Sequence, residues 1–216
     1  MNISNYKAVI FDLDGVLVTT DDCHYLAWKK LAEEENIYFD RDINERLRGI
    51  SRMESLEIVL EKAEKQYSDE EKKEMAERKN SYYVSLVKEI DQSALIDGAI
   101  EFISYVKENS LKTAIGSSSK NTNLILSQTG IDSMFDAIAD GNIIIKSKPD
   151  PEVFLKAAEL LGIEPCDCLV CEDADAGVEA AISAGMDVLA VGYAKDNEKA
   201  TYSAQNLKET LKKYNG

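Results

Sequence analysis

Two aspartates one residue apart, Asp12 and Asp14, follow the apolar run Val9-Ile10-Phe11 and precede Gly15. Residues of a strand alternate between its faces, so Asp12 and Asp14 point the same way while Leu13 turns into the core. Two carboxylates held at one point suit a division of labour. One acid can bind a metal and attack phosphorus, while the other manages the proton of a substrate hydroxyl. Gly15 lets the chain leave the strand without crowding that point. Polar groups recur where later apolar runs end: Ser117 after Ala114-Ile115-Gly116, and Glu172 with Asp173 after Leu169-Val170-Cys171. Lys148 stands in the loop before a helical stretch. Acids gathered at one edge repel each other, and a bound Mg2+ resolves that repulsion because hard cations take oxygen ligands.

The elements that must gather these groups are short strands at 8–13, 112–116, 168–172 and 187–192, with a weaker one at 135–139. Most are apolar on both faces, as expected of parallel strands covered by helices on each side. Helical stretches at 99–108, 121–129, 151–161 and 176–184 alternate with the later strands. Gly130, Gly162 and Gly185 stand just past helix ends, and Asp150-Pro151 supplies an N-cap and a first-turn proline. This alternation predicts an α/β fold with a doubly wound, Rossmann-like parallel sheet, which binds ligands beyond the carboxyl ends of its strands. Residues from about 20 to 90 break the pattern and read as successive helices. Ser51-Arg52-Met53-Glu54 and Ser68-Asp69-Glu70-Glu71 both fit the capping box, and Leu56, Val59, Leu60 and Ala63 follow helical spacing. The expected organisation is a catalytic core of residues 1–18 and 92–216 with an inserted all-helical cap domain at 19–91.

The chain carries 40 acidic and 25 basic residues, a net charge of −15. Such a field repels nucleic acid and anionic membrane, so any phosphate site must be built from a few locally placed cations. No apolar run approaches a membrane span and no basic-then-apolar leader precedes the first strand, so the cytosol is the expected compartment. A monomer is expected, since an inserted cap must swing freely. Cys166, Cys168 and Cys171 form C-x-C-x-x-C without a fourth ligand nearby, and alternation sends Cys168 and Cys171 to opposite faces, so they read as structural thiols.

These segments together resemble the haloacid dehalogenase superfamily of phosphotransferases in its D-x-D-G-V form, and within it the β-phosphoglucomutases. The likeness runs through Phe11-Asp12-Leu13-Asp14-Gly15-Val16, His24 with Ala27-Trp28, Gly49-Ile50-Ser51-Arg52 and Arg78-Lys79-Asn80. It continues through Ser117-Ser118-Ser119-Lys120-Asn121, Ser147-Lys148-Pro149 and Glu172-Asp173, and so covers essentially the whole chain. The resemblance implies an Mg2+-dependent mutase that interconverts β-D-glucose 1-phosphate and glucose 6-phosphate through an aspartyl phosphate and a glucose 1,6-bisphosphate. Asp12 is then the nucleophile, and Asp14 the general acid/base whose backbone carbonyl helps hold Mg2+. Glu172 and Asp173 complete the metal site, while Ser117 and Lys148 bind the transferring phosphoryl group. Arg52 grips the far phosphate, aided by Ser119, Lys120 and Asn121. Thr20, His24 and Lys79 couple cap closure to Asp14, and Trp28 with the Arg48-Gly49 turn lies against the sugar. A phosphatase of the same superfamily, acting on a small sugar phosphate or similar ester, would share this nucleophile and metal site and stays open as the alternative.

Local readings of some residues are plainer. His24, the only histidine, reads as a surface or capping residue, and Trp28 as core of the insertion. Arg52 directly after an N-cap faces the helix dipole unfavourably unless an anion binds there. The run 70–73 with Glu74 and Glu77 reads as a solvated helix face. The chain also departs from the family pattern at Thr19, Arg48, Ala174 and Asp97-Gly98; of these, Arg48 bears on the sugar contacts, because a guanidinium fork differs from an ammonium.

Overall fold

The computed structural model describes residues 1–48 and 50–214, so the expected sugar contact at Gly49 lies outside the described residues. The strands β1 (Ala8–Phe11), β2 (Lys112–Gly116), β3 (Ala137–Ala139), β4 (Cys168–Glu172), β5 (Asp187–Ala190) and β6 (Tyr202–Ser203) form one parallel sheet. Their order is β3-β2-β1-β4-β5-β6, so the winding reverses between β1 and β4. In such sheets that reversal opens a crevice beyond the strand ends. Side chains alternate as strand geometry requires. Val9, Phe11, Leu169 and Cys171 pack in one apolar cluster, and Ala8, Ile10, Cys168 and Val170 in another. Cys168 and Cys171 therefore sit in different apolar clusters, as expected, and both are free thiols.

Among the described residues, four helices fill the insertion after β1: α1 (Asp21–Glu34), α2 (Arg41–Glu45), α3 (Arg52–Leu60) and α4 (Asp69–Val87). Trp28, Leu31, Leu56, Val59 and Met75 give this segment an apolar cluster of its own. Both expected capping boxes are present, with Ser51 and Glu54 closing the start of α3, and Ser68 and Glu71 that of α4. The remaining helices, α5 (Ala99–Glu108), α6 (Thr122–Thr129), α7 (Glu152–Leu161), α8 (Asp175–Ser183) and α9 (Leu207–Tyr214), complete the α/β layers.

The differences from the sequence reading are local. β1 ends before Asp12, although the Asp12 N–H still donates to the Cys171 carbonyl at 2.9 Å. β6 and α9 were not expected; a two-residue strand carries no period to read. No helix among the described residues is long and apolar enough to cross a membrane.

Candidate active site

Beyond the ends of β1, β2 and β4, facing α1, α3 and α4 of the insertion, lies a cavity of about 560 Å³. It is lined by Asp12, Asp14, Ser117, Lys148, Glu172 and Asp173 on the sheet side, and by His24, Trp28, Arg48, Arg52 and Lys79 on the helical side. Ser119, Lys120 and Asn121 join the wall from the loop after β2. Thr20 does not line it but stands buried behind Asp14.

At the sheet end, carboxylate oxygens of Asp12, Glu172 and Asp173 all lie within 4.8 Å of one another, and all three residues are buried. Lys148, 3% exposed, donates to Asp12 and to Glu172 Oε2 at 2.8 Å. The other Glu172 oxygen, Oε1, accepts the backbone N–H groups of Asp173 and Ala174, each at 3.0 Å. With all three acids ionised, one ammonium would leave the cluster negative. Burial, then the neighbouring Glu172 and Asp12, raises the Asp173 pKa. Burial likewise raises Asp12, against the pull of Lys148. Lys148 itself would be lowered by burial, but Asp12 and Glu172 hold it raised and charged. A compact, buried, all-oxygen donor set with surplus negative charge fits a hard divalent cation such as Mg2+.

Two glycines make this packing possible. Gly15 has φ +84°, and a Cβ there would fall 1.9 Å from Asp173 Oδ2. At Gly177, on the first turn of α8, a Cβ would fall 2.0 Å from the Glu172 carboxyl carbon. Gly177 was not singled out from sequence, because only the folded contact reveals the need.

Asp14 is set in a different environment. Its carboxylate accepts from the Thr20 hydroxyl, which in turn accepts from the Tyr83 hydroxyl at 3.1 Å. Burial pushes the Asp14 pKa up to about 6, against the Thr20 hydrogen bond that lowers it. Close by, Lys79 Nζ meets His24 Nδ1 at 3.0 Å. When Lys79 is charged its ammonium can only donate, and His24 Nδ1 then accepts. Burial, then Lys79, holds His24 well below its ordinary pKa. Burial and Arg52 bring Lys79 down to about 7. The Lys79 ammonium lies 4.7 Å from the centre of the Trp28 ring and 4.8 Å from that of Tyr83. Tyr83 was missed in the sequence, although it lies one turn after Lys79 on α4, a spacing that shares a face.

On the helical wall Arg52 is half-buried at the start of α3 and makes no ion pair among the described residues. Burial lowers its pKa. Lys120 is exposed on the same cavity. Asn121 is partly committed, since its amide donates to Asn80 of α4 at 2.9 Å. Ser117 Oγ accepts from the Ser119 N–H at 3.2 Å, and Ser119 Oγ from the Asn121 N–H at 3.1 Å, so the loop is braced by its own hydroxyls.

Arg48 differs most from expectation. Its guanidinium donates to both oxygens of Asp21 at 2.7 and 2.6 Å and to Glu45 at 2.7 Å, and lies 4.1 Å from the centre of the Tyr193 ring. Those donors are engaged within the protein rather than free for a sugar. Lys73 and Glu77 are exposed, as the solvated-face reading has it, yet both also reach the cavity rim.

The sequence profile of the haloacid dehalogenase-like hydrolases matches residues 6–185. A β-phosphoglucomutase of Bacillus subtilis is 46% identical over 188 residues, covering 86% of this chain and 83% of that protein. A phosphorylated carbohydrates phosphatase of Thermotoga maritima is 32% identical over 202 residues, covering 92% and 91%. The crystal structure of a β-phosphoglucomutase from Clostridium difficile superposes with a TM-score of 0.88 at 42% identity and 97% coverage of both chains.

Proposed function

Because the chain belongs to the haloacid dehalogenase-like hydrolase family, we propose that it is a sugar-phosphate mutase interconverting β-D-glucose 1-phosphate and glucose 6-phosphate. The observation that carries this reading is Arg52, a half-buried guanidinium without an acidic partner among the described residues, lining the same cavity as the Asp12–Lys148 pair. A bisphosphorylated intermediate needs a cationic grip for the phosphate that is not reacting, whereas a simple phosphatase needs only one phosphate site. The relatives named β-phosphoglucomutase, at 46% and 42% identity, support the same choice.

In this mechanism an Asp12 oxygen attacks one phosphorus of the sugar bisphosphate, forming the aspartyl phosphate as the sugar oxygen leaves with a proton from Asp14 and a sugar monophosphate departs. The phosphoryl group then returns to a hydroxyl at the other end of a bound sugar phosphate, and Asp14 takes the hydroxyl proton. The bisphosphate turns round and the cycle repeats on the other phosphate. Lys148 and Ser117 neutralise the phosphoryl oxygens, and Arg52 with Ser119, Lys120 and Asn121 holds the distal phosphate. Mg2+, held by Asp12, Glu172, Asp173 and the Asp14 carbonyl, would supply charge neutralisation at the transferring group when bound. Thr20, His24 and Lys79 tie the insertion to Asp14, and Trp28 gives the sugar an apolar face. The insertion, residues 19–91, acts in this reading as a cap that closes on the core to exclude water from the aspartyl phosphate. The same reading has a cytosolic monomer acting on a small molecule.

A phosphatase is the second reading, favoured by the Thermotoga relative at 32% identity. The test is a parallel assay with β-glucose 1-phosphate, a trace of glucose 1,6-bisphosphate and Mg2+. Glucose 6-phosphate as main product supports the mutase, and free phosphate as main product supports the phosphatase.

A further inference from the structure

Buried polar atoms almost always find partners, and each exception is destabilising. Among the described residues, Asn44 Oδ1, Ser118 Oγ and Arg78 Nε are buried without one. Arg78 is accounted for by its other contacts: Nη2 donates to Glu35, and Nε lies 3.6 Å from Glu34 Oε2. Asn44 and Ser118 both line the cavity, one from the helical insertion and one from the loop after β2.

Asn44 is the more fully enclosed, at 7% exposure. Its backbone is satisfied and fixed. Asp40 caps α2, its Oδ1 accepting from the Ile43 N–H at 2.9 Å. The Asn44 N–H donates to the Asp40 carbonyl at 3.1 Å, and the Asn44 carbonyl accepts from the Leu47 N–H at 3.0 Å. Only the side-chain amide is left over. Arg52 and Lys79 on the same wall carry charge suited to phosphate, and Trp28, Leu47 and Met53 offer apolar surface. An amide supplies a donor and an acceptor without charge, which matches a hydroxyl that both donates and accepts. A half-turn about its Cβ–Cγ bond exchanges the two, so either can be presented to a ligand.

Resting on the mutase reading, we propose that the Asn44 amide binds a ring hydroxyl of the hexose and so selects among sugars rather than among phosphates. Sites built to hydrogen-bond a hydroxyl reject analogues that lack it far more strongly than apolar pockets reject a missing methylene.

The test compares kcat/KM for β-glucose 1-phosphate and its 2-, 3- and 4-deoxy analogues in the wild-type protein and in Asn44→Leu, which keeps the size of the side chain and removes both hydrogen-bonding atoms. In the wild type one analogue should lose about tenfold to a hundredfold. In Asn44→Leu the parent sugar should lose a similar factor, and that same analogue no more than about twofold beyond it. Thermal unfolding and phosphorylation of Asp12 by acetyl phosphate, which needs no sugar, report whether the variant is folded, with Asn44→Ala as the second substitution should Leu not fit. Equal deoxy penalties in wild type and variant overturn this proposal and leave the mutase reading standing. Failure of the wild-type protein to isomerise the parent sugar overturns that reading, and this inference with it.

Discussion

Thr20 stands at the N-cap of α1, yet its hydroxyl makes no cap hydrogen bond and instead donates to the carboxylate of Asp14. A threonine cap is ordinarily worth about 1 kcal/mol to a helix. Here that contribution is forgone, and the first element of the insertion is tied to the proposed acid/base of the core. Asn121 repeats the arrangement at the start of α6, where its amide donates to Asn80 rather than capping. At both places a residue type favoured for capping is spent on contact between the insertion and the core.

Replacing Thr20 by Val should therefore alter chemistry in a way a lost cap would not. The Thr20 hydrogen bond lowers the Asp14 pKa, so its removal raises that pKa further above about 6. The acidic limb of the kcat/KM profile should move to higher pH by about one unit or less, with turnover down by about tenfold. Thr20→Ser, which keeps the hydroxyl, should restore the profile. An unmoved limb in Thr20→Val would detach Thr20 from Asp14.

Arg52→Ala should reduce mutase turnover by about two orders of magnitude, the worth of a charge-assisted contact in a partly enclosed site. Phosphorylation of Asp12 by acetyl phosphate, which has no second phosphate to hold, should stay within about twofold of wild type, since one phosphate site suffices for it. Parallel loss of both activities would show that Arg52 serves the reacting phosphate or the fold instead of the distal site.

Gly177→Ala sets two effects against each other. Replacing glycine by alanine within a helix normally stabilises by about 0.5–1 kcal/mol. The new Cβ would fall 2.0 Å from the Glu172 carboxyl carbon, so Glu172 must give up part of its contact with Lys148 and the Asp173 and Ala174 N–H groups. The clash should win, costing about 1–3 kcal/mol by denaturant unfolding and weakening Mg2+ binding about tenfold, as loss of a ligand's support does. A more stable variant with unchanged Mg2+ affinity would remove Glu172 from the proposed metal set.

Metal and protons should compete at the acid cluster. Asp14 rises from 3.8 to about 6 on folding, and burial raises Asp12 and Asp173 as well. The metal-free native state thus binds more protons than the unfolded chain above about pH 4, and these groups cost stability as pH rises through their native values. Mg2+ displaces the protons of Asp12 and Asp173, carboxylate ligands in this reading, so the rise in Tm on adding Mg2+ should be larger at pH 7 than at pH 5. His24 and Lys79 contribute with the opposite sign, but equally with and without metal. At a Mg2+ concentration a hundredfold above Kd the stabilisation is about 2.7 kcal/mol. A metal-induced shift independent of pH would contradict the carboxylate site.

Much of this was legible in the sequence because it is local. Asp12 and Asp14 announce themselves by following an apolar run, the capping boxes at Ser51 and Ser68 involve residues three apart, and strand alternation alone separates Cys168 from Cys171. What stayed hidden depends on partners far along the chain. Tyr83 gains its place by reaching Thr20 across 63 positions, and Arg48 is drawn to Asp21 and Tyr193 across 27 and 145. Asn44 looks like any helix asparagine until its amide is found buried against the cavity. Lys73 and Glu77 are exposed as their pattern implies, and only the fold reveals that they also border the cavity.

In a mutase the phosphoryl group on Asp12 is passed to a sugar rather than to water. Labelling Asp12 with acetyl phosphate carrying isotopic phosphorus and chasing with unlabelled β-glucose 1-phosphate follows that group directly. Most of the label should appear in glucose bisphosphate and then in glucose 6-phosphate, with slow release of label when the sugar is omitted. Label appearing as free phosphate at the same rate with and without sugar would contradict the mutase reading.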